Sequence, residues 1–426
     1  MTPLYTESLS KIKQKQWLEV QKQLLYLQKK SAFYQGLFKE GSIDVSKITS
    51  LQEFRNIPLT TKEDLQERNS DFICVPNRDI IDYVTTSGTL GSPVSFALNE
   101  ADLQRLASNE MQSFEMVGLT KEDIVQITTT LDRRFMAGMA YFLGLRKLGA
   151  GIVRTGSGLP QMQWDSIQRF KPSYLVAVPS FLLKLTDYAL ANNIDFRNSS
   201  VKAAVCIGEP VRTADHKLNA LGQKINDVWG IELFSTYAST EMATAFTECK
   251  GHKGNHIQTD LIYTEVLKDD GIPVKEGEIG ELVITNLQVE TMPLLRFATG
   301  DMVSYTEEIC QCGRNTPRLS AVIGRKKQMI KYKGTSLYPQ HIIETLNAFN
   351  EISNFVIEAH TNSLNTDILV VKVPANLSDN QITELKHHFK SQLRVIPEII
   401  VVPEDELLKL KFPTEARKPQ IFIDYR

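Results

Sequence analysis

From about residue 80 to residue 310 the chain alternates short Val/Ile/Leu-rich runs with helical stretches, and this alternation limits its fold more than any other feature. The runs include Asp123 to Ile127, Tyr174 to Val178, Val201 to Ile207 and Glu281 to Thr285. Short continuous apolar runs of this kind read as strands buried on both faces, hence as α/β units. After Gly324 the rhythm changes. A Lys-rich segment leads to a helix near Gln340 to Asn347, and then to strands over Phe355 to Glu358 and Asp367 to Val373. An amphipathic helix over Asp379 to Leu393 and a last strand over Glu398 to Val402 follow. This is the pattern of a small α+β domain. Residues 9 to 38, apolar at helical spacing among Lys and Gln, predict one or two surface helices before the Gly41 turn. The expected fold class is α/β, with a large multi-sheet N-terminal domain over 1–325 and a small α+β C-terminal domain over 326–426.

A length of 426 residues suits two or three folding units. The formal net charge of −2 gives no global field for polyanions, so any anion site must be built locally. A basic nucleic-acid coat and an acidic disordered tail are excluded. The polar stretch Met1 to Gln16 has no signal-peptide h-region, and no later stretch approaches roughly 18 uncharged apolar residues. A cytoplasmic chain with neither nucleic acid nor membrane as partner is expected. Five cysteines, an odd number, do not form a secreted disulfide framework. Cys310 and Cys312 are spaced for a shared metal rather than a disulfide.

Four segments are candidates for chemistry. The first is the loop Thr85 to Pro93, in which hydroxyls and two glycines let backbone N–H and side-chain O–H groups converge on phosphate oxygens. It lacks the Gly-Lys-Ser/Thr ending of a Walker loop. The second, Tyr237 to Glu241, sets a hydroxyl beside a carboxylate after a predicted strand. It suits phosphate and Mg²⁺, or else a helix N-cap at Ser239 or Thr240. The third, Leu295 to Asp301, places Gly300 and Asp301 where a turn is expected and a carboxylate is available to two ribose hydroxyls. The fourth, Gly324 to Gly334, carries five cationic residues in eleven positions, a pattern that also fits a solvated face.

In order and spacing these segments resemble the adenylate-forming superfamily of acyl-CoA synthetases, most closely its phenylacetate-CoA ligase and coenzyme F390 synthetase-like branch. Tyr34, the Thr60 to Leu65 segment, Pro179 to Phe181, Gly208 to Pro210 and the Lys418 segment extend the resemblance over nearly the whole chain. It implies that Thr86, Ser87, Gly88, Thr89 and Gly91 wrap the ATP β- and γ-phosphates, with Thr240 on the α-phosphate and Glu241 on Mg²⁺. Gly208, Glu209 and Tyr237 would lie at adenine, Asp301 at the ribose hydroxyls and Arg325 at ribose or phosphate oxygens. Lys327 takes the hinge position. Lys418 takes that of the lysine that bridges the acyl carboxylate and the α-phosphate. The chain departs from the pattern at Ser92, Ala298 and Arg417.

Cys249-x6-His256 and Cys310-x-Cys312 together make a Cys3His set suited to a closed, structural zinc site. Some relatives of this branch carry the same arrangement around Gly-x-His and Cys-x-Cys-Gly. His252 is an alternative ligand, and free cysteines are the simpler alternative. Cys74 and Cys206 lie in apolar runs and are expected in the core. The resemblance also places the acid beside Phe135 to Phe142. Phe135, Gly138, Tyr141, Phe181 and Ala238 would form an apolar pocket that suits a planar aromatic acid. The expected reaction is ATP-dependent activation of a carboxylic acid as acyl-AMP, followed by transfer to CoA. The alternatives are transfer to a carrier-protein phosphopantetheine or another acceptor, and a catalytically silent nucleotide-binding protein. The expected cofactors are ATP, Mg²⁺, CoA and a structural Zn²⁺. The expected partners are the acid, CoA or an acyl carrier protein, and a second copy in a homodimer.

Overall fold

A computed structural model describes residues 4–86, 93–349, 351–352, 354–362, 366–413 and 419–426. Ser87, Gly88, Thr89, Gly91, Ser92, Arg417 and Lys418 lie outside the described residues. The chain divides into two compact units, a larger one of 1–218, 222–299 and 303–321 and a smaller one of 219–221, 300–302 and 322–426. Among the described residues no helix is long and apolar enough to cross a membrane.

The larger unit opens with two helices, α1 (Leu9–Lys30) and α2 (Ala32–Glu40), each started by a serine hydroxyl that accepts a backbone N–H. They are not purely surface helices. One face is buried through Ile12, Val20, Leu24, Leu27, Phe33, Tyr34 and Phe38. The short helices α3 (Leu51–Arg55) and α4 (Lys62–Glu67) follow, each started by a capping box. Next comes the antiparallel pair β1 (Asp82–Thr85) and β2 (Ser95–Leu98). Thr86 and Val94 are tied by two hydrogen bonds of 2.9 Å: the Thr86 N–H donates to the Val94 carbonyl, and the Val94 N–H donates to Thr86 Oγ1. Helix α5 (Glu100–Met116) then starts under Asn99.

The predicted alternation runs through β3 (Ile124–Ile127), α6 (Met136–Leu148), β4 (Gly151–Arg154), α7 (Pro160–Phe170), β5 (Tyr174–Ala177), α8 (Pro179–Ala191), β6 (Ala203–Cys206), α9 (Ala220–Trp229) and β7 (Glu232–Ser239). Strands β3 to β7 are parallel and lie in the order β7-β6-β5-β3-β4. β5 and β6 are buried at every residue, which is why they read as unbroken apolar runs. The chain goes from β3 to β4 on one side and returns to β5 on the other. The strand order therefore reverses at β3.

After β7 the structure corrects the sequence expectation, because the alternation stops there and not near residue 310. β8 (Thr244–Glu248) turns back antiparallel against β7 after only residues 240–243, too short a link for a crossover helix. β9 (Asn255–His256), β10 (Ile262–Leu267), β11 (Gly280–Asn286), β12 (Phe297–Val303), β13 (Tyr305–Thr306) and β14 (Arg318–Leu319) follow with no α-helix between them. β9, β14 and β13 extend the first sheet to nine strands. β10 and β11 form a separate antiparallel ladder. β11 is buried at every residue, so it carries the same apolar signature as a parallel strand.

In the smaller unit β15 (Gly324–Arg325) pairs with the Asp301–Met302 end of β12. β16 (Ile330–Tyr332) and β17 (Thr335–Leu337) form a hairpin whose two turn residues, Lys333 and Gly334, both have positive φ. Then come α10 (Pro339–Asn347), β18 (Val356–Thr361), β19 (Asp367–Pro374), α11 (Asp379–Leu393), β20 (Glu398–Val402), α12 (Glu404–Lys411) and β21 (Phe422–Asp424). The sheet order is β20-β19-β18-β21. The last helix and strand are additions to the predicted set, and β21 pairs parallel to β18. Ile342, Leu346, Ile357, Leu369, Leu385 and Phe389 are among the residues of this unit's core.

Candidate functional site

In an open parallel sheet, ligands bind beyond the carboxyl ends of the strands, where the strand order reverses. Here that place is bounded by the loops after β3, β5 and β6. The loop after β5 starts α8 with Pro179 and Ser180, and the loop after β6 carries Gly208, at φ 74°, and Glu209. The two are joined: the Ser180 N–H donates to Glu209 Oε2 at 2.8 Å and its hydroxyl to Oε1 at 2.9 Å. A carboxylate is favourable there because it faces the positive end of α8. The loop after β3 begins Thr128, Thr129, Thr130, a triplet the sequence reading passed over. Thr129 is buried, and its hydroxyl has no hydrogen-bond partner among the described residues.

At the end of β7 the segment Tyr237 to Glu241 is not a helix start. It runs through the end of the strand into a tight turn closed by Ala243 N–H to the Thr240 carbonyl at 3.2 Å, with Ser239 Oγ accepting from Met242 N–H. Thr240 and Glu241 are half-buried and Tyr237 lies 6.1 Å from the Phe246 ring. Two side chains hold this turn in place. Asn286 donates to the Met242 carbonyl at 2.8 Å, and Arg105 reaches up from α5. Arg105 is buried and donates to the carbonyls of Ala243, Leu261 and Leu287 and to Thr244 Oγ1. Burial lowers its pKa to about 10, so it stays charged. Neither Arg105 nor Asn286 was predicted. A charged residue inside an amphipathic helix was the only available signal.

The expected acid pocket is corrected in two places. Gly138 does not open space, because an added Cβ would lie 2.1 Å from the Thr130 carbonyl oxygen: the glycine lets α6 approach the preceding loop. Tyr141 is 2% exposed and packs edge-on to Phe114 in the core with Leu145 and Val125. Phe135, at the start of α6, and Phe181, on α8, are half-buried, and Ala238 is exposed. In the smaller unit Asp301 lies in β12, not in a turn, one residue after Gly300 at φ 75°. Arg325 Nε donates to Asp301 Oδ1 at 3.2 Å, so these two predicted residues meet across the β12–β15 ladder. Lys327 lies in the short 3-10 turn Lys326–Gln328.

The larger unit also brings Cys249, His256, Cys310 and Cys312 together, with their ligand atoms all within 4.8 Å of one another. Cys249 Sγ and Cys310 Sγ are 3.6 Å apart, and Cys312 Sγ is 3.5 Å from His256 Nε2. A sulfur pair at this distance is far beyond a disulfide bond, but near the roughly 3.8 Å edge of a tetrahedron with 2.3 Å metal–sulfur bonds. Thr316 Oγ1 holds His256 Nδ1 at 2.9 Å and leaves Nε2 for the cluster. The Gly251 N–H donates to Cys249 Sγ at 3.3 Å. Burial pushes the Cys249 thiol up to about 12. Burial also acts to raise Cys312, but hydrogen bonds from His256 and the Arg314 backbone outweigh it and bring that thiol down to about 5. His252, the alternative ligand, is engaged elsewhere. Its ring nitrogens lie 3.2 Å from Glu248 and 3.0 Å from Glu232. Glu248 is itself buried against Arg212 at 2.7 Å, and this fixes the residue beside Cys249. Cys74 and Cys206 are buried, as expected.

Comparison with known proteins fits this geometry. The family model for AMP-binding enzymes matches residues 20–291. The phenylacetate-coenzyme A ligase of Thermus thermophilus is 29% identical over 77% of this chain and 73% of its own length. That of Escherichia coli is 24% identical over 94% of this chain and 93% of its own. A solved 2-hydroxyisobutyryl-CoA ligase, in the postadenylation state with 2-HIB-AMP, has the same fold, with a TM-score of 0.86 over 99% of this chain and 91% of its own at 24% identity. The chain belongs to the AMP-binding enzyme family and is an AMP-forming CoA ligase of its phenylacetate-CoA ligase-like branch.

Proposed function

We propose that this chain activates a small carboxylic acid, aromatic in class, as acyl-AMP and transfers the acyl group to the thiol of CoA. The observation that carries the reading is the convergence of the Ser180, Glu209 and Thr128–Phe135 loops at one reversal point of the sheet, with the Tyr237–Glu241 turn at the end of the same sheet's β7. The acid's carboxylate oxygen attacks the α-phosphorus of ATP, and the α–β bridging oxygen leaves with pyrophosphate. That attack brings anions together, so a cation in contact with both lowers the barrier, and Lys418 takes this role. Thr86, Ser87, Gly88, Thr89 and Gly91 hold the β- and γ-phosphates, and Thr240 the α-phosphate. Glu241 holds Mg²⁺, which supplies charge neutralisation at the phosphates. Gly208, Glu209 and Tyr237 take adenine, Asp301 takes the ribose hydroxyls, and Arg325 takes ribose or phosphate oxygens. In the second step the thiol sulfur attacks the acyl carbonyl carbon, AMP leaves with the mixed-anhydride oxygen, and the thiol proton passes to solvent. Between steps the small unit turns about Lys327.

An aromatic acid is supported by the phenylacetate specificity in the names of the relatives and by the apolar groups left to line the site, Phe135, Phe181 and Ala238. Zn²⁺ is proposed at Cys249, His256, Cys310 and Cys312, as a structural ion with no position open to water. Acid-dependent ATP–pyrophosphate exchange over a panel that includes phenylacetate, benzoate and 2-hydroxyisobutyrate tests the first half-reaction. Thioester formation with CoA, and with a phosphopantetheinylated carrier protein, tests the second. Exchange with aliphatic acids alone contradicts the aromatic assignment, and thioester on the carrier alone replaces CoA as acceptor.

A further inference from the structure

The larger unit holds a cavity of about 230 Å³ between α1, α3, β10 and the segments at Val274 and Tyr305. None of its lining residues belongs to the reaction loops or to the cysteine cluster. Ile12, Trp17, Leu51, Tyr263 and Val274 give it mostly apolar walls, and Arg55 and Glu265 stand at one side. A dry cavity of roughly 150 Å³ accepts benzene, so this one takes a single ring with a short arm.

The charges around it do not cancel. Glu265, with its side chain only 2% exposed, lies 2.9 Å from Arg296 Nε and 3.4 Å from Arg55 Nε. One buried carboxylate thus serves two guanidinium groups. Arg296 also donates to the Arg55 and Ile57 carbonyls. The Arg55 side chain is 36% exposed and also meets the Tyr263 side chain at the cavity wall. The other charged pair at the wall, Lys13 and Glu307 at 2.8 Å, neutralises itself. Two guanidinium groups thus face one buried carboxylate, and one positive charge remains beside an aromatic-lined void.

We infer that this cavity is a second small-molecule site, which binds a monoanionic carboxylate with a ring-sized apolar body, its carboxylate on Arg55 and its ring against Trp17 and Tyr263. The inference stands apart from the adenylation reading, since it uses none of the same residues. Benzoate is the probe, with benzamide as its neutral counterpart, added to the full chain without ATP. Trp17 reports on the cavity, because Trp164 and Trp229 are packed together in the core with ring centroids 5.4 Å apart. Benzoate should change the fluorescence saturably, the change should vanish in Trp17→Phe, and benzamide should bind at least 10-fold more weakly. Arg55→Gln should weaken benzoate at least 10-fold. Val274→Phe, which fills the void, should abolish the rise in melting temperature that benzoate causes. Either variant suffices if the other fails to fold. Pyrophosphate exchange in Arg55→Gln should match the parent chain, which separates this site from the catalytic one. No saturable Trp17 signal, equal binding of benzamide, or unchanged benzoate affinity in a folded Arg55→Gln or Val274→Phe chain overturns the inference.

Discussion

The two halves of the nine-stranded sheet solve opposite problems. From β3 to β6 the buried polar residues are all uncharged: Gln126, Thr128, Thr129, Gln163, Ser166 and Thr186. From β7 onward the buried set on this sheet includes Glu248, His256 and Arg318, and the separate β10–β11 ladder that follows adds Glu265 and Glu281. The parallel half keeps charged side chains out of its interior and presents them beyond the strand ends. The antiparallel half has short strands and many turns, and it uses buried ions to tie those turns down. Helix α5 belongs to both. Its Glu110 faces Gly144 of α6, while Asn109 pairs with the Ala245 backbone and Arg105 holds the turn after Glu241. Chemistry is expected on the loops beyond the parallel strands, the end of β7 included, and its support in the antiparallel half.

Substitutions that separate support from chemistry can break this comparison. The largest expected effect on stability is that of Cys310→Ser. It should lower zinc content from one per chain, and cost about 4–5 kcal/mol in denaturant unfolding if the cluster is a closed structural site. The pyrophosphate-exchange rate per folded molecule should be nearly unchanged. A chain that loses exchange but not stability would place the cluster in the chemistry instead. Next, Arg105→Ala orphans three carbonyls and one hydroxyl and should cost about 3–5 kcal/mol. Arg105→Lys should restore part of the stability and less of the exchange, because one ammonium cannot reach all four acceptors. Glu241→Gln should do the reverse of both, with exchange falling about 100- to 1000-fold and melting temperature unchanged.

The smallest effect sharpens the role of α5. Burial raises the Glu110 carboxyl from 4.5 to about 8, so the folded chain holds this group protonated where the unfolded chain does not. The stability it allows is fully present below about pH 4.5 and falls as pH rises to about 8. Glu110→Gln should therefore leave the melting temperature unchanged near pH 4.5 and raise it at pH 9. A gain at both pH values would point to packing rather than ionisation.

Strands β3, β5 and β6 and helix α11 were legible because burial on both faces or on one stripe leaves a periodic trace. The same trace hid the change of topology at β8: a fully buried antiparallel strand such as β11 has the composition of a parallel one, and only the short link at 240–243 distinguishes them. The Cys3His set was visible as residue types at suggestive spacings, with His256 as the fourth ligand and His252 as the alternative. What holds His252 away from the cluster was not visible, since Glu232 and Glu248 meet its ring only in the fold. Arg105 was invisible for a related reason. Its acceptors lie 138 to 182 residues away along the chain. Gly138 and Tyr141 misled because a small residue and an aromatic one suit a helix contact and a core as well as a pocket.

The central claim is that the loops of the parallel half, with Lys418, perform adenylation. Its most direct test is Lys418→Ala measured in the two half-reactions separately. The account predicts that acid-dependent ATP–pyrophosphate exchange falls at least about 100-fold, while thioester formation from supplied acyl-AMP and CoA continues at the parent rate. Exchange at the parent rate in Lys418→Ala would contradict it.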